Sequence, residues 1–299
     1  MLAYRHLFHA GNFADVFKHV VLVQLVLALT RKDKPFVYLD THAGSGRYDL
    51  SHEWAQKNAE FRDGVVRVWG RTDAPAAVAP YLEALAAENA DRRLRFYPGS
   101  PRLVRRLLRQ GDRMVLTELN KRECAELAEL FAHDRQVQVR LMDGYQALKA
   151  LLPPPERRGL ILIDSSFDRA GEYARLADAL AQACRRFADG VYALWYPLME
   201  PVAVRGFERS IEETGIRKIL KLELSVQPDG WQGSLRGSAM LVVNAPYQLD
   251  AVLRPALAWL HQALAPDGPR GWWVDWLVGG CGCVCVLCAV CCVERRTCA

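Results

Sequence analysis

Four apolar segments of the 299-residue chain each end at a carboxylate, and helical segments separate them. These segments are predicted strands that end at Asp40, Glu118, Asp143 and Asp164. Strands that alternate with helices favour a parallel sheet with helices on both faces. The carboxyl ends of such strands meet at one edge, where open α/β sheets bind their ligands. The sequence therefore predicts an α/β fold in which four acidic side chains converge on one crevice.

The remaining segments modify this simple alternation. A helix is predicted from Asn12 or Phe13, with Asn12 as its N-cap, and a short strand is predicted at residues 94–96. Between about residues 48 and 93 the pattern is helical and lacks strong strands, which indicates an inserted helical subdomain. Two final strands near residues 218–226 and 239–244 are close enough to pair antiparallel. We therefore expect one domain over residues 1–278 with a mixed seven-stranded sheet.

A cysteine-rich tail follows this domain at residues 279–299. Seven of the nine cysteines lie between Cys281 and Cys298. Their Cys-x-Cys-x-Cys spacing leaves three interpretations open: a non-functional extension, a site for a soft metal, or a membrane contact. We expect the tail to be disordered or artefactual, and no metal site is predicted in the rest of the chain.

The amino terminus does not resemble a secretory signal, because polar residues interrupt its apolar run. The interrupting residues are His6, His9, Asn12, Asp15 and Lys18. Only Cys124 and Cys184 lie in the body of the chain, a usage typical of a reducing compartment. We therefore expect a cytoplasmic protein without a membrane partner.

The formal net charge is +5, but arginine is concentrated in one short span. Such a cluster suits a polyanionic partner, although a solvated helix face explains it as well. The cluster consists of Arg92, Arg93, Arg95, Arg102, Arg105, Arg106, Arg109 and Arg113.

A glycine turn follows the first predicted strand. Gly44 and Gly46 come just after Asp40, and glycines there let the backbone approach a ligand closely. A dinucleotide-binding turn needs a third glycine three residues later, where this chain has Asp49. The turn therefore argues against a pyrophosphate and is compatible with S-adenosylmethionine, while an ordinary tight turn remains the alternative.

The strand that ends at Asp164 carries the sharpest chemical signal. Phe167 follows Asp164 three residues later. The Asp164 carboxylate can accept a hydrogen bond from an amino group while the Phe167 ring stacks on a planar ring. Adenine-N6 methyltransferases use this combination of side chains. Such enzymes normally have two prolines where Ser165 and Ser166 stand in this chain.

The other strand ends suit the cofactor of such an enzyme. Glu118 can accept from both ribose hydroxyls, and Asp143 can accept from the cofactor's adenine amino group while the Gly144 backbone lies against the ring. His42 is placed for the methionine end, and the Ser100 hydroxyl can reach the same crevice. Each acid alone could be a plain strand-end residue.

Nine motifs together resemble the RlmJ family from residue 1 to about residue 278. They are Tyr4-Arg5-His6, Phe8 to Asn12, Asp15 with Lys18-His19, Asp40 to Gly44, Tyr97 to Pro101, Leu116 to Leu119, Gly159 to Asp164, Tyr192 to Pro197, and Thr214 to Ile219. The resemblance implies a Rossmann-like methyltransferase with an inserted helical subdomain that methylates N6 of adenine 2030 in 23S ribosomal RNA. It implies catalysis by Asp164 and contact between Tyr4 and the RNA. It implies cofactor contacts from His19, His42, Ser100, Glu118, Asp143, Gly144 and Asp164.

Other functions remain open at this point. Ser165 and Ser166 release the dihedral angles that two prolines would fix, so the enzyme is hypothesised to be impaired. A catalytically weak or inactive RNA-binding or ribosome-assembly protein would keep the same scaffold. A DNA adenine-N6 methyltransferase or a small-molecule methyltransferase would use the same residues on another substrate. We expect a monomer.

Overall fold

The computed structural model of the protein describes residues 5–168, 170–227, 235–265 and 271–279. Tyr4 and residues 280–299 of the cysteine-rich tail lie outside the described residues, so the predictions made for them are not addressed by the structure.

The described residues build one eight-stranded sheet and one two-stranded sheet. The strands are β1 (Val37–Asp40), β2 (Arg47–Asp49), β3 (Phe96–Pro98), β4 (Arg113–Glu118), β5 (Val137–Leu141), β6 (Gly159–Ile163), β7 (Val191–Leu198), β8 (Ile219–Ser225), β9 (Gly237–Val243) and β10 (Trp272–Val278). The large sheet has the order β10-β8-β9-β7-β6-β1-β4-β5. Strands β5, β4, β1, β6 and β7 are parallel, and β9, β8 and β10 extend the sheet by antiparallel pairing.

Helices cover the sheet and fill the segment between β2 and β3. They are α1 (Phe13–Thr30), α2 (Glu53–Asn58), α3 (Val65–Val68), α4 (Ala79–Glu88), α5 (Ser100–Leu107), α6 (Lys121–Leu130), α7 (Gly144–Leu151), α8 (Glu172–Arg186), α9 (Pro201–Glu213) and α10 (Leu249–Leu264), with short 3-10 turns at His6–Phe8 and Glu60–Arg62. Helices α2, α3 and α4 lie in the segment predicted to be a helical insertion.

Helix α1 forms much of the core on one face of the sheet. It begins as predicted, because the Asn12 side chain accepts a hydrogen bond from the Asp15 backbone N–H at 2.9 Å. Its composition and length would allow a membrane span, but 78% of its apolar window is buried inside the protein. It is therefore a core helix that carries a few polar residues, Asp15, Lys18 and His19, toward the strand ends.

Two features of the sheet differ from the prediction. The large sheet has eight strands rather than seven, because β10 adds an edge strand after α10. The strand predicted at residues 94–96 is β3, and it pairs with β2 outside the large sheet. β10 was missed because three tryptophans interrupt its alternation: Trp273 and Trp276 are exposed, while only Val274 between them is buried.

Candidate active site

A cleft of about 340 Å³ opens at the carboxyl ends of the parallel strands. Its size is within the usual range for small-molecule sites. The structure brings the sequence-predicted residues of the described chain together on its walls: His19, His42, Ser100, Glu118, Asp143, Gly144, Asp164 and Phe167. The convergence expected from the strand ends is therefore present, and it comes from β1, β4, β5 and β6 together with α1.

The centre of the cleft is an ion-pair network between α1 and the end of β6. Lys18 Nζ lies 2.6 Å from Asp164 Oδ2 and 2.8 Å from Asp15 Oδ1. The other oxygen of Asp15 accepts hydrogen bonds from His6 Nε2 and from the Gly11 backbone N–H, both at 2.9 Å. A single buried cation is thus shared by two carboxylates.

Electrostatic interactions within this network determine the protonation states of Lys18 and Asp15. Burial disfavours the charged form of Lys18, but the two carboxylates outweigh it and raise the lysine pKa. Burial likewise opposes ionisation of Asp15, yet His6 and Lys18 hold its pKa well below the usual range. Lys18 is consequently a permanent cation beside Asp164. The second oxygen of Asp164, Oδ1, makes no hydrogen bond to any described residue and remains available to a ligand.

An aromatic wall stands beside Asp164. Phe167 contacts Tyr173 and Trp195 edge to face, with ring centroids 4.9 and 5.9 Å apart. Its φ of 54° lies in the left-handed region, which a bulky residue rarely adopts. The turn that holds it contains Ser165, which is buried, and Ser166, whose hydroxyl donates to Asp168 at 2.6 Å.

Glu118, at the end of the neighbouring strand β4, holds the glycine turn by a hydrogen bond. Its Oε2 accepts from the Gly44 backbone N–H at 2.9 Å, and its Oε1 accepts from the Asn120 N–H at 2.7 Å. Glu118 lines the cleft, and each of its oxygens can accept a further hydrogen bond, because a carboxylate oxygen can accept more than one.

Asp143 and Gly144 form the start of α7. The Asp143 carboxylate caps the helix by accepting from the Tyr145 and Gln146 backbone N–H groups, each at 3.0 Å. Gly144 packs so closely that an added Cβ would lie 2.3 Å from the Thr41 carbonyl oxygen. The position thus admits only glycine without movement of the backbone, and this keeps α7 against the end of β1.

Ser100 and His42 are both held by hydrogen bonds to residues at the end of β1. The Ser100 hydroxyl donates to Asp40 Oδ2 at 2.7 Å, as does the Tyr38 hydroxyl. Burial raises the pKa of Asp40, although these hydrogen bonds oppose the shift. His42 is held through Nδ1, which lies 2.8 Å from the Thr41 hydroxyl.

His19 lies deepest among the predicted cofactor residues. Its Nδ1 is 2.8 Å from the Tyr97 hydroxyl, and its side chain is almost completely buried. Burial lowers the pKa of His19 to about 3, which outweighs the attraction of Asp15. The imidazole is therefore neutral at physiological pH.

Some residues of the cleft were not predicted from the sequence as site residues. Tyr145 and Glu123 line it, and burial together with repulsion from Glu118 raises the pKa of Glu123 to about 7. Lys18 lines the cleft too, and its sequence signal is the group of polar residues Asp15, Lys18 and His19 on an otherwise apolar helix, which suggests a wall of the site. Glu123 has no such signal in the sequence, because it belongs to an ordinary amphipathic helix, α6.

The arginine cluster is mostly engaged within the protein. Five of its members form close ion pairs with acidic partners, which favours a structural explanation over a polyanion site. These pairs are Arg95–Asp49, Arg102–Glu88, Arg105–Asp134, Arg109–Asp112 and Arg113–Glu156. No group of three metal-ligating side chains occurs within the described parts of the chain.

Known proteins resemble this chain over most of its length. The family model described as "Ribosomal RNA large subunit methyltransferase D, RlmJ" matches residues 33–278. The "Ribosomal RNA large subunit methyltransferase J" proteins of Escherichia coli (strain K12) and Haemophilus influenzae are 44% and 42% identical over 278 residues, which is 93% of this chain and 99% of each relative. A crystal structure of a Legionella pneumophila protein superposes with a TM-score of 0.84 at 35% identity and covers 90% of this chain and 98% of its own. The resemblance inferred from the motifs is confirmed, and the chain belongs to the RlmJ family of ribosomal RNA large subunit methyltransferases.

Proposed function

We propose that this protein transfers a methyl group from S-adenosylmethionine to N6 of an adenine in 23S ribosomal RNA, at adenine 2030 by family resemblance. The observation that carries the proposal is the position of Asp164. Its carboxylate sits at the end of a buried parallel strand, paired with Lys18 through one oxygen and open to the cleft through the other. Phe167 stands beside it as a surface for a planar ring.

The donor and acceptor groups of the cleft fit the proposed cofactor. Glu118 and Asp143 offer carboxylate oxygens where a nucleoside would present hydroxyl and amino donors. His19 and His42 lie on the same walls, toward α1 and the glycine turn, and suit the methionine end. When bound, S-adenosylmethionine supplies a methyl group already activated by its sulfonium, so the protein has mainly to bind, orient and desolvate.

Asp164 would act on the target base. The lone pair of an adenine amino group is delocalised into the ring, and the nitrogen is a poor nucleophile. A hydrogen bond from that amino group to Asp164 Oδ1, and a second to the backbone carbonyl of Ser165, favour a pyramidal nitrogen with an available lone pair. Lys18 keeps Oδ2 occupied, so the carboxylate meets the base in one orientation.

Phe167 would hold the base in place. Its ring is half-buried against Tyr173 and Trp195, so one face can receive an adenine turned out of the RNA. Its strained backbone conformation is consistent with a functional constraint at this turn. The RNA is expected to contact Tyr4 as well, by family resemblance.

An impaired enzyme is the second candidate, and one observation favours it. Ser165 and Ser166 stand where two prolines are usual. Serine leaves φ freer than proline does, so the backbone carbonyl of Ser165 is held less firmly in the position that the reaction needs. In this case the protein would bind the cofactor and RNA in the cytoplasm without efficient turnover.

Substrate competition tests the proposal. The protein is incubated with labelled S-adenosylmethionine and equal amounts of unmodified 23S ribosomal RNA, duplex DNA and adenosine. We expect label only in the RNA, on N6 of one adenine. We also expect the protein to sediment as a monomer. Preferential labelling of DNA or adenosine would refute the RNA assignment, and cofactor binding without label in any substrate would support the impaired enzyme.

A further inference from the structure

A buried chain of polar groups runs from the cleft into the helical segment. His19 Nδ1 lies 2.8 Å from the Tyr97 hydroxyl, which lies 3.3 Å from the Tyr81 hydroxyl. All three side chains are fully or almost fully buried. These hydrogen bonds connect His19 on α1, through Tyr97 on β3, to Tyr81 on α4, a helix of the segment between β2 and β3.

The two ring nitrogens of His19 face different surroundings. Nδ1 is occupied by Tyr97, whereas Nε2 makes no hydrogen bond to a described residue and His19 lines the cleft. A neutral imidazole carries its single proton on one nitrogen, and the hydrogen bond at the other nitrogen decides which. The tautomer of His19 therefore determines whether the cleft meets an N–H donor or a bare nitrogen acceptor.

The chemistry of the two partners favours one tautomer. A phenol is a good donor, with an ordinary pKa near 10, and an imidazole nitrogen is a much better base than a phenolic oxygen. Tyr97 therefore donates to Nδ1, and Tyr81 can in turn donate to the Tyr97 oxygen. Successive hydrogen bonds of this kind polarise one another. The proton of His19 is left on Nε2.

We propose that Tyr97 and Tyr81 are positioning residues that fix His19 in the tautomer with its proton on Nε2, where it donates to the carboxylate of the methionine part of the cofactor. This inference rests on the proposed function for the identity of the ligand. The carboxylate is the natural acceptor, because it is the one anionic group of S-adenosylmethionine. The acidic strand ends Glu118 and Asp143 cannot donate to it, while a neutral N–H on α1 can.

The arrangement gives the segment between β2 and β3 a part in cofactor binding. Tyr81 belongs to α4 and does not line the cleft, and its hydroxyl is linked to His19 through the Tyr97 hydroxyl. Removal of the Tyr81 hydroxyl is consequently expected to act only through Tyr97 and His19.

The tautomer can be read without any ligand. Long-range proton–nitrogen correlation spectra of the free protein report which imidazole nitrogen is protonated, and a His19→Gln variant identifies the His19 signals among the seven histidines. We expect Nε2–H in the wild-type protein and a mixture of tautomers in Tyr97→Phe. A wild-type spectrum with the proton on Nδ1, or a Tyr97→Phe spectrum identical to wild type, would overturn the proposal.

Cofactor affinity, measured by calorimetry, supplies the second test. We expect Tyr97→Phe to bind S-adenosylmethionine about tenfold more weakly and Tyr81→Phe about threefold more weakly, the range of a lost neutral hydrogen bond. Tyr192→Phe is the matched control, because its buried hydroxyl donates to the Ala183 and Phe187 carbonyl oxygens at the carboxyl end of α8 and Tyr192 does not line the cleft. We expect its cofactor affinity to equal that of the wild type.

A double-mutant cycle separates positioning from loss of fold. In a His19→Ala background, Tyr97→Phe should change the cofactor affinity by less than about twofold, because the effect passes through His19. An equal loss in both backgrounds would show a purely structural role and refute the inference. If the wild-type protein binds no S-adenosylmethionine, the proposed function fails, while the tautomer spectra still decide whether the tyrosines set His19.

Discussion

Lys18 Nζ lies 2.6 Å from Asp164 Oδ2, although the two residues are 146 positions apart in the sequence. The pair joins the first helix to the end of β6, and Asp15 completes the cation's environment at 2.8 Å. Because Lys18 is buried, its charge is not screened by water as it would be at the surface. The contact therefore orients the carboxylate that is proposed to meet the target base, and its loss would leave buried carboxylates without their counter-ion.

Lys18→Met should remove the cation that Asp15 and Asp164 share. We expect the methyl-transfer rate to fall on the order of 100-fold through misorientation of Asp164. The free energy of unfolding should fall by about 3 kcal/mol, as for other broken buried ion pairs. Single-turnover kinetics and chemical denaturation measure the two effects.

Lys221→Met is the control for this change. Lys221 Nζ also lies between two carboxylates, 2.6 Å from Glu208 and 3.0 Å from Glu223, but it does not line the cleft. It should lower stability and leave the transfer rate of the folded protein unchanged. A Lys18→Met protein as active as Lys221→Met would contradict the assigned role of Lys18.

Replacing Ser165 and Ser166 together by proline should raise the turnover number. Two prolines hold φ near −65° and would keep the backbone carbonyl of residue 165 aimed at the amino group. The gain is expected to lie between about tenfold and a hundredfold, since small misplacements in a site have effects of that size. Cofactor affinity serves as the control and should stay constant. Equal turnover in both proteins would show that the Ser-Ser turn already positions the carbonyl.

Gly144→Ala should weaken both stability and cofactor binding. The new Cβ would lie 2.3 Å from the Thr41 carbonyl oxygen and 2.8 Å from the His42 ring, so α7 must move away from β1. Overpacking of this kind lowers the free energy of unfolding by about 1–3 kcal/mol. Thermal unfolding and calorimetric titration with S-adenosylmethionine measure the two losses.

Gly206→Ala provides the comparison. Gly206 lies inside α9, where an added Cβ meets nothing within 4 Å. It should stabilise the protein by about 0.5–1 kcal/mol, because glycine is a poor helix former. The interpretation of Gly144 is wrong if both substitutions have the same effect.

Glu123 should make stability depend on pH in an uncommon direction for a carboxylate. Its pKa is raised from 4.5 to about 7, mainly by burial and in addition by repulsion from Glu118. Between these two pH values the folded state therefore keeps a proton that the unfolded state has lost. The contribution of Glu123 to the free energy of unfolding therefore falls as pH rises between these two values. Below 4.5 and above about 7 both states have the same charge, and the contribution is constant.

Glu123→Gln should abolish this component of the slope, as measured by denaturant unfolding at several pH values. Glu129→Gln, on an exposed position of the same helix, should leave the slope as in the wild type. An unchanged slope in Glu123→Gln would show that Glu123 does not carry the perturbed titration.

Local patterns sufficed to predict much of the fold. The buried strands β1, β4 and β6 are short, mainly apolar runs with a carboxylate at or just after the end, and Asn12 marks the start of α1, so hydrophobic pattern and capping agree. β10 could not be found this way, because an edge strand with exposed tryptophans lacks the alternation of a half-buried strand. The pairing of β3 with β2 depends on how the segment between them folds back, which no local pattern determines.

The geometry of the cleft was predictable to a similar extent. The convergence of Asp164, Asp143 and Glu118 on one cleft could be predicted because the carboxyl ends of parallel strands meet at one edge of the sheet. The side-chain partners could not: Lys18 reaches Asp164 across 146 residues, and Tyr81 reaches His19 through Tyr97. Such contacts depend on three-dimensional packing between helices and strands, and the sequence spacing of their members carries no information about them.

Methyl transfer to unmodified 23S ribosomal RNA by the wild-type protein and by Asp164→Asn tests the central claim most directly. Asparagine keeps the size of the side chain and removes the charge that pairs with Lys18, and calorimetry verifies that S-adenosylmethionine still binds. The account predicts N6-methyladenosine at one position, adenine 2030, with the wild-type protein and a rate lower by at least about 100-fold with Asp164→Asn. Equal rates with the two proteins, or methylation at an atom other than N6, would contradict it.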